Sequence, residues 1–404
     1  MAAMHTDTIS EYKGTSQQGV PYGNIKIPLL LFQDDIVKLD ANAEKLQQSN
    51  LILEHYQLMN RMAFHPDKTK VMNNKQEIEV TLNKNQVTNT RKYKYLGDII
   101  SIDGKHTELI NERRNVCAGT VAELVSINYE TQQYNLIASV QYLEGVIIPK
   151  LLLNSETWNN IKKKDEEELE KIQSQSLKRL IQLPYTTPTR GLYNELGIMT
   201  VTNRINIKKL IFLWKLLHKN EDRLSRMVLE QQHQLPGNTW VKETLNIAEE
   251  IGIIDMEEIR EYTEDEWKKI VKQRIWVLEN RAYKLWAEKS KKCNHMKDED
   301  IKMKEYIKVL NPQEAKLILD IRLGMLQVKE NFHNMHEDNI CRICKVEIED
   351  SKHFINCTAK IAGEEQNLQN LNEIWSLNEI SNLIEVAPVL YKVIKNNKIF
   401  EYSG

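Results

Sequence analysis

Two short apolar runs stand near the start of the chain, Ile25–Phe32 and Ile36–Leu39, separated by Gln33, Asp34 and Asp35. Runs this short and this rich in branched residues predict two strands joined by a tight turn at Gln33-Asp34 rather than a helix. From Asn42 to Met62 the period changes. Leu46, Leu53, Met59 and Met62 lie near helical spacing, with Glu44, Lys45, Gln47 and Gln48 opposite, which predicts an amphipathic helix. Pro66 breaks the pattern, and short strands are expected just after it, at Glu77–Leu82 and at Lys94–Ile100. The order of hairpin, helix and strands predicts an α+β layer: a small antiparallel sheet with one helix packed on it.

Beyond Gly104 the strand signals fade and the fold is expected to be predominantly helical. Helices are predicted at Glu108–Ser126, Gln132–Gly145, Lys162–Gln182, Arg190–Leu196 and Asn203–Asn220. In the third, Leu169, Ile172, Ser176, Leu177 and Leu180 form one face, and the acids Asp165–Glu168 near its start suit the helix dipole. Glu221–Glu266 is polar and reads as a linker with short helices. Trp267–Lys292 returns to helical spacing, with Trp267, Ile270, Val271, Ile275, Leu278 and Leu285 as an approximate apolar stripe.

Chemistry enters at the first turn. A hairpin there raises Asp34 and Asp35 at its tip on a rigid base, where adjacent carboxylates can bind Mg²⁺ for phosphoryl transfer. The bland alternative is a turn that uses Asp for its backbone preferences. A sharper signal lies near the other end. Cys341-x-x-Cys344 is followed by His353 and Cys357, all within seventeen residues. Zn²⁺ favours four such ligands in a tetrahedron, and a set supplied wholly by protein is closed and structural. His333 and His336 lie upstream but spoil the spacing, and Cys117 and Cys293 have no such company.

FQDDIV at 32–37, HPDKTKVM at 65–72 and YKYLGDIIS-x-DG from Tyr93 resemble the later motifs of the reverse transcriptase of a non-LTR (LINE-type) retrotransposon. The segments Leu153-Asn154-Ser155-Glu156-Thr157-Trp158, Leu183-Pro184 and Glu195-Leu196-Gly197 are similar to the part beyond that family's palm. Asp320-Ile321-Arg322 resembles the lead-in to its CCHC knuckle. The resemblance implies a truncated polymerase palm, a helical thumb and a small zinc module. It implies Asp34 as a metal ligand, Asp35 beside it, Lys68 facing the incoming triphosphate, and Tyr95, Leu96 and Gly97 gripping the primer. The implied cofactors are Mg²⁺ and Zn²⁺, and the implied partners an RNA template and DNA primer. Departures accompany it: Gln33 replaces a small Ala, and His65 an Asn. Two-metal catalysis also needs a carboxylate from an earlier strand. The stretch before Asp34 gives no apolar strand around Glu11, so the fingers and first catalytic Asp are expected to be missing. Only Thr358–Gly404, with Glu364, Glu365 and Glu373, follows the knuckle, too little for an added endonuclease domain.

The resulting domain expectation is a polar segment 1–24, a partial palm 25–104 and a helical thumb 105–220. A linker region 221–335 bearing a basic aromatic helix and a zinc module with tail 336–404 follow. With 55 Lys and Arg against 57 Asp and Glu, a broad basic surface is disfavoured. Local basic stretches remain at Arg204–Lys219 and Trp267–Lys292. Arg204, Lys208, Lys209, Lys268, Lys272 and Arg274 are therefore the candidates for nucleic-acid contact, whether with a template–primer or another strand. The aromatic rings among them fit a core role better. No stretch has the ~18 consecutive apolar residues of a membrane span. The polar start lacks a secretory signal, and five cysteines suit a reducing cytoplasmic or nuclear setting.

Overall fold

The computed structural model describes residues 19–32, 34–74, 76–131, 135–326, 328–331, 338–362, 373–377 and 380–396. Gln33, His333, His336, Glu11, Glu364 and Glu365 lie outside them. The architecture is α+β and predominantly helical, with small, mostly antiparallel sheets.

Pro28 splits the first apolar run. Lacking an N–H, it removes one ladder bond at that point. The chain instead pairs β1 (Val20–Tyr22) with β2 (Ile25–Ile27), then β3 (Leu29–Phe32) with β4 (Asp35–Lys38), both antiparallel. The strand expected over Ile25–Phe32 is therefore two. Helix α1 (Ala43–Asn60) starts at Asn42, whose side chain accepts from the Lys45 N–H, and ends at Arg61 in a left-handed turn. Its inner face is Ser49, Asn50 and Leu53, whereas Met59 and Met62 are 72 % and 46 % exposed. The predicted stripe thus fails past Leu53, because the underlying cluster of Leu53, Val71, Val80, Leu82 and Val87 reaches only the first half of the helix.

The strands that follow are shorter than expected. β5 (Lys70–Val71) runs parallel to β8 (Thr88–Asn89), and β6 (Thr81–Leu82) pairs with β7 (Asn85–Gln86). Lys94–Ile100 does not form one strand. β9 (Lys92–Tyr95) turns back on β10 (Asp98–Ser101), Tyr95 facing Asp98, because Leu96 and Gly97 both take positive φ. The helices are α2 (Thr107–Thr131), α3 (Leu136–Tyr142), α4 (Ile148–Leu151), α5 (Lys163–Leu180), α6 (Thr189–Leu196), α7 (Val201–Leu217), α8 (Leu224–Gln234), α9 (Trp240–Glu250), α10 (Met256–Glu261), α11 (Glu264–Lys289), α12 (Tyr306–Val309), α13 (Pro312–Arg322), α14 (Ser351–Ala362), α15 (Glu373–Ser376) and α16 (Ile380–Asn396).

Two compact units emerge. The first takes its described residues from Met1–Glu112, Leu153–Asp165 and Lys208–Lys268, the second from Arg113–Leu152, Glu166–Ile207 and Lys269–Gly404. In the first, the stretch expected to be a linker is folded: α8, α9 and α10 bury Leu229, Trp240, Val241, Ala248 and Ile259. In the second, the predicted face of α5 is buried throughout, and α13 and α14 both pack on α16. Cys117 and Cys293 are buried thiols.

Helix α11 departs from its predicted stripe. Its buried positions are Trp267, Val271, Ile275, Glu279, Tyr283 and Ala287, a strict four-residue repeat. Four residues overshoot one turn by about 40°, so the stripe drifts around the helix. Leu285 consequently falls outside and is 54 % exposed.

Candidate functional site

The carboxylate hairpin forms where the apolar runs placed it. Phe32 pairs with Asp35, so Asp34 stands at the tip and Asp35 opens β4. Both carboxylates are exposed. Lys38 fixes the hairpin to α1: its Nζ donates to Asn50 Oδ1 at 2.6 Å and to the Leu46 carbonyl. Burial brings that ammonium down to about 7. The Tyr95 phenol is raised first by burial and then by the negative charge of Asp35.

Two further predicted segments converge here. Lys68 is exposed in the turn after Pro66, and its carbonyl accepts from the Tyr93 hydroxyl at 3.1 Å. The Leu96 carbonyl accepts from Asn154 Nδ2 at 2.8 Å, and Asp98 Oδ2 from Trp158 Nε1 at 3.2 Å. Gly97, at φ +89°, sits where an added Cβ would lie 3.0 Å from Leu153 Cδ2. The weak motif Leu153–Trp158 therefore braces the Y-L-G turn.

Among the described residues the hairpin tip completes no metal centre. Among the described residues, only Cys341, Cys344, His353 and Cys357 form a group of three or more possible metal ligands of the Cys, His, Asp and Glu kinds. Within that set of residues, Asp34 and Asp35 gain no third carboxylate. Mg²⁺ keeps several waters and leans on substrate phosphates when few carboxylates are present, and a two-metal clamp needs more than this pair.

The basic candidates are mostly engaged inside the fold. Lys209 is 2 % exposed with its ammonium on Glu243, so it cannot reach a phosphate backbone. Arg204 is paired with Glu144, Lys208 with Glu156 at 2.8 Å, and Lys268 with Glu264 at 2.7 Å. Lys272 is exposed and Arg274 is half-buried. Of the aromatic residues, Trp267 is fully buried and donates to the Leu210 carbonyl, and Tyr283 is buried as well. Both serve the core.

The cysteine–histidine set does converge. One ligand atom from each of Cys341, Cys344, His353 and Cys357 lies within 4.8 Å of all the others. A tetrahedral zinc with sulfur at ~2.3 Å sets its thiolates about 3.8 Å apart, so little movement is needed to close on an ion. The first two ligands sit on a knuckle. Ile340 bridges Ile348, the Cys341 N–H donates to the Glu347 carbonyl at 2.7 Å, and Lys345 N–H to the Cys341 carbonyl at 2.9 Å. Lys345 takes φ +62° to turn the chain. The other two ligands lie one turn apart on α14, whose start is fixed by Asp350 Oδ1 accepting the His353 N–H. Backbone N–H groups of Glu347 and Val346 hold the Cys344 thiol down to about 6, while burial and the neighbouring Cys341 push Cys357 up to about 11. The four residues can hold a metal ion such as zinc.

Spacing alone gave no hint of the groups behind this set. Glu349 is fully buried, accepting the Lys329 and Arg342 backbone N–H groups and the Arg342 guanidinium, which lies over the Phe354 ring. Deeper in the same unit, Arg322 is fully buried. It donates to Glu195 Oε1 at 2.8 Å, Glu299 Oε1 at 2.6 Å and the carbonyls of Ile374 and Trp375. Lys304 pairs with Glu299, and Tyr306 donates to Glu195 Oε2. Burial works against the charge of Glu299, but Arg322 and Lys304 outweigh it and its carboxyl stays below the usual range. The Glu195-Leu196-Gly197 and Asp320-Ile321-Arg322 segments thus meet in one ion network. The chain matches no protein-family model, no curated protein and no solved structure.

Proposed function

We propose that this chain is the carboxy-terminal part of a non-LTR (LINE-type) retrotransposon reverse transcriptase and is catalytically incomplete by itself. The observation that carries the reading is the convergence of its motif segments. Asp35 of the FQDD hairpin lies close enough to Tyr95 of the Y-L-G turn to raise its phenol, and Lys68 follows through its backbone bond to Tyr93. In this reading β3, β4, β9, β10 and α1 are palm elements, and α2, α5, α6 and α7 contribute to a thumb. Asp34 would bind Mg²⁺ with Asp35 beside it, Lys68 would meet the triphosphate, and Tyr95–Gly97 would hold the primer end. The carboxylate pair lacks its third member among the described residues. Nucleotide addition is therefore expected to be absent or very slow. The test is primed RNA with Mg²⁺ and dNTPs: template-dependent extension that Asp34→Ala abolishes would show a complete polymerase, against the incomplete-site reading.

The Cys341–Cys344–His353–Cys357 set is read as a closed zinc site. The ion would tie the knuckle to α14 and take no part in chemistry, since all four positions are filled by protein.

A second reading is a nucleic-acid-binding protein without catalysis, favoured by the conjunction of an incomplete carboxylate set and a well-formed ligand cluster. Four of its six nominated cations are engaged in ion pairs, which weakens it. RNA binding that falls steeply with salt and survives Asp34→Ala with Asp35→Ala would favour it over the first.

A further inference from the structure

We propose that Glu347 is the positioning residue of the metal centre, setting three of its four ligands at once. The inference rests on the zinc reading and names the device that builds the site. Each functional group of Glu347 faces a different ligand. Its carbonyl accepts the Cys341 N–H at 2.7 Å. Its own N–H is directed at the Cys344 sulfur, beside that of Val346. Its carboxylate Oε2 lies 3.0 Å from His353 Nδ1.

The third contact decides how His353 binds. A neutral imidazole carries one proton, and a carboxylate on Nδ1 holds that proton there as a donor. The lone pair then sits on Nε2, which lies 3.3 Å from the Cys344 sulfur, on the side of the thiolates. A carboxylate behind a ligating histidine fixes the tautomer, fixes the ring plane and makes the ligand more basic. The two backbone contacts are available to any residue at 347, so only the histidine contact depends on the Glu side chain. Glu349, two residues on, faces the other way and acts differently, holding the knuckle's fold from its fully buried position under Arg342. The Glu347 side chain is 71 % exposed, so replacing it leaves no hole and buries no charge.

The test uses the full chain. Zn²⁺ affinity is measured by competition with a chromophoric chelator for the wild type, Glu347→Ala and Glu347→Gln, alongside visible spectra of the Co²⁺-substituted proteins. Glu347→Ala is expected to bind about 10–100-fold more weakly and to shift the cobalt bands. Glu347→Gln keeps an oxygen that accepts from Nδ1–H and is expected to fall between the two. Ala binding within twofold of the wild type would overturn the proposal, as would Gln binding more weakly than Ala. A wild type that takes up no stoichiometric Zn²⁺ would instead overturn the zinc reading on which the inference stands.

Discussion

At the scale of single residues, the molecule's most exacting position is Arg322, with no exposed side-chain surface and four hydrogen-bonded partners. Removing one member of a buried charge pair strands the others. Arg322→Ala is expected to cost about 3–5 kcal/mol, read from urea denaturation, and Arg322→Met with Glu195→Leu less than the sum of the single changes. His295 gives the second residue-level expectation. Burial, then the positive Arg322, brings its imidazole from 6.5 down to about 4, with Glu299 opposing and Lys352 assisting. The folded protein keeps it neutral while the unfolded chain protonates it, so stability is lost as pH falls from about 6.5 through about 4. Between pH 7 and pH 4 the denaturation midpoint of the wild type should drop further than that of His295→Leu. His295 did not stand out in the sequence, and Arg322 did so only within the Asp320-Ile321-Arg322 segment, because the pairing of an Arg or His is unreadable until its partners, up to 127 positions away, are known. The cysteine–histidine set was legible because all four residues sit close together in the chain.

At the scale of elements, turn chemistry decides more than strand propensity. The β3–β4 hairpin was readable from two apolar runs and the residues between them. The β9–β10 hairpin was not, because Leu96 is a poor signal for a left-handed turn although it takes φ +48°. Gly97→Ala is expected to cost at least about 1–2 kcal/mol, since φ is +89° and the new Cβ meets Leu153. Leu96→Asn, which tolerates the left-handed region better, should raise stability by up to about 1 kcal/mol. Thermal melts of both variants check the pair, and loss of stability in Leu96→Asn would show that its contacts outweigh its strain. Helix α11 behaves in a related way: the presence of the helix followed from spacing, but its inward side did not, because a four-residue repeat and a 3.6-residue turn drift apart.

At the scale of the whole molecule, the cysteine–histidine set closes a local structure and is expected to govern only that part. Chelation should raise hydrogen exchange over 338–362 and leave exchange in β3, β4 and α1 unchanged; uniform loosening would show a wider role. The second unit itself is assembled from three separated stretches of chain. Periodicity found its helices, but no local pattern specifies which distant stretches share a core. Arg322 has a consequence for the order of synthesis. Its guanidinium is satisfied only when Glu195, Glu299 and the carbonyls at 374 and 375 are all present. During translation Arg322 therefore lacks part of its partner set until residues 374 and 375, almost the last described, have left the ribosome.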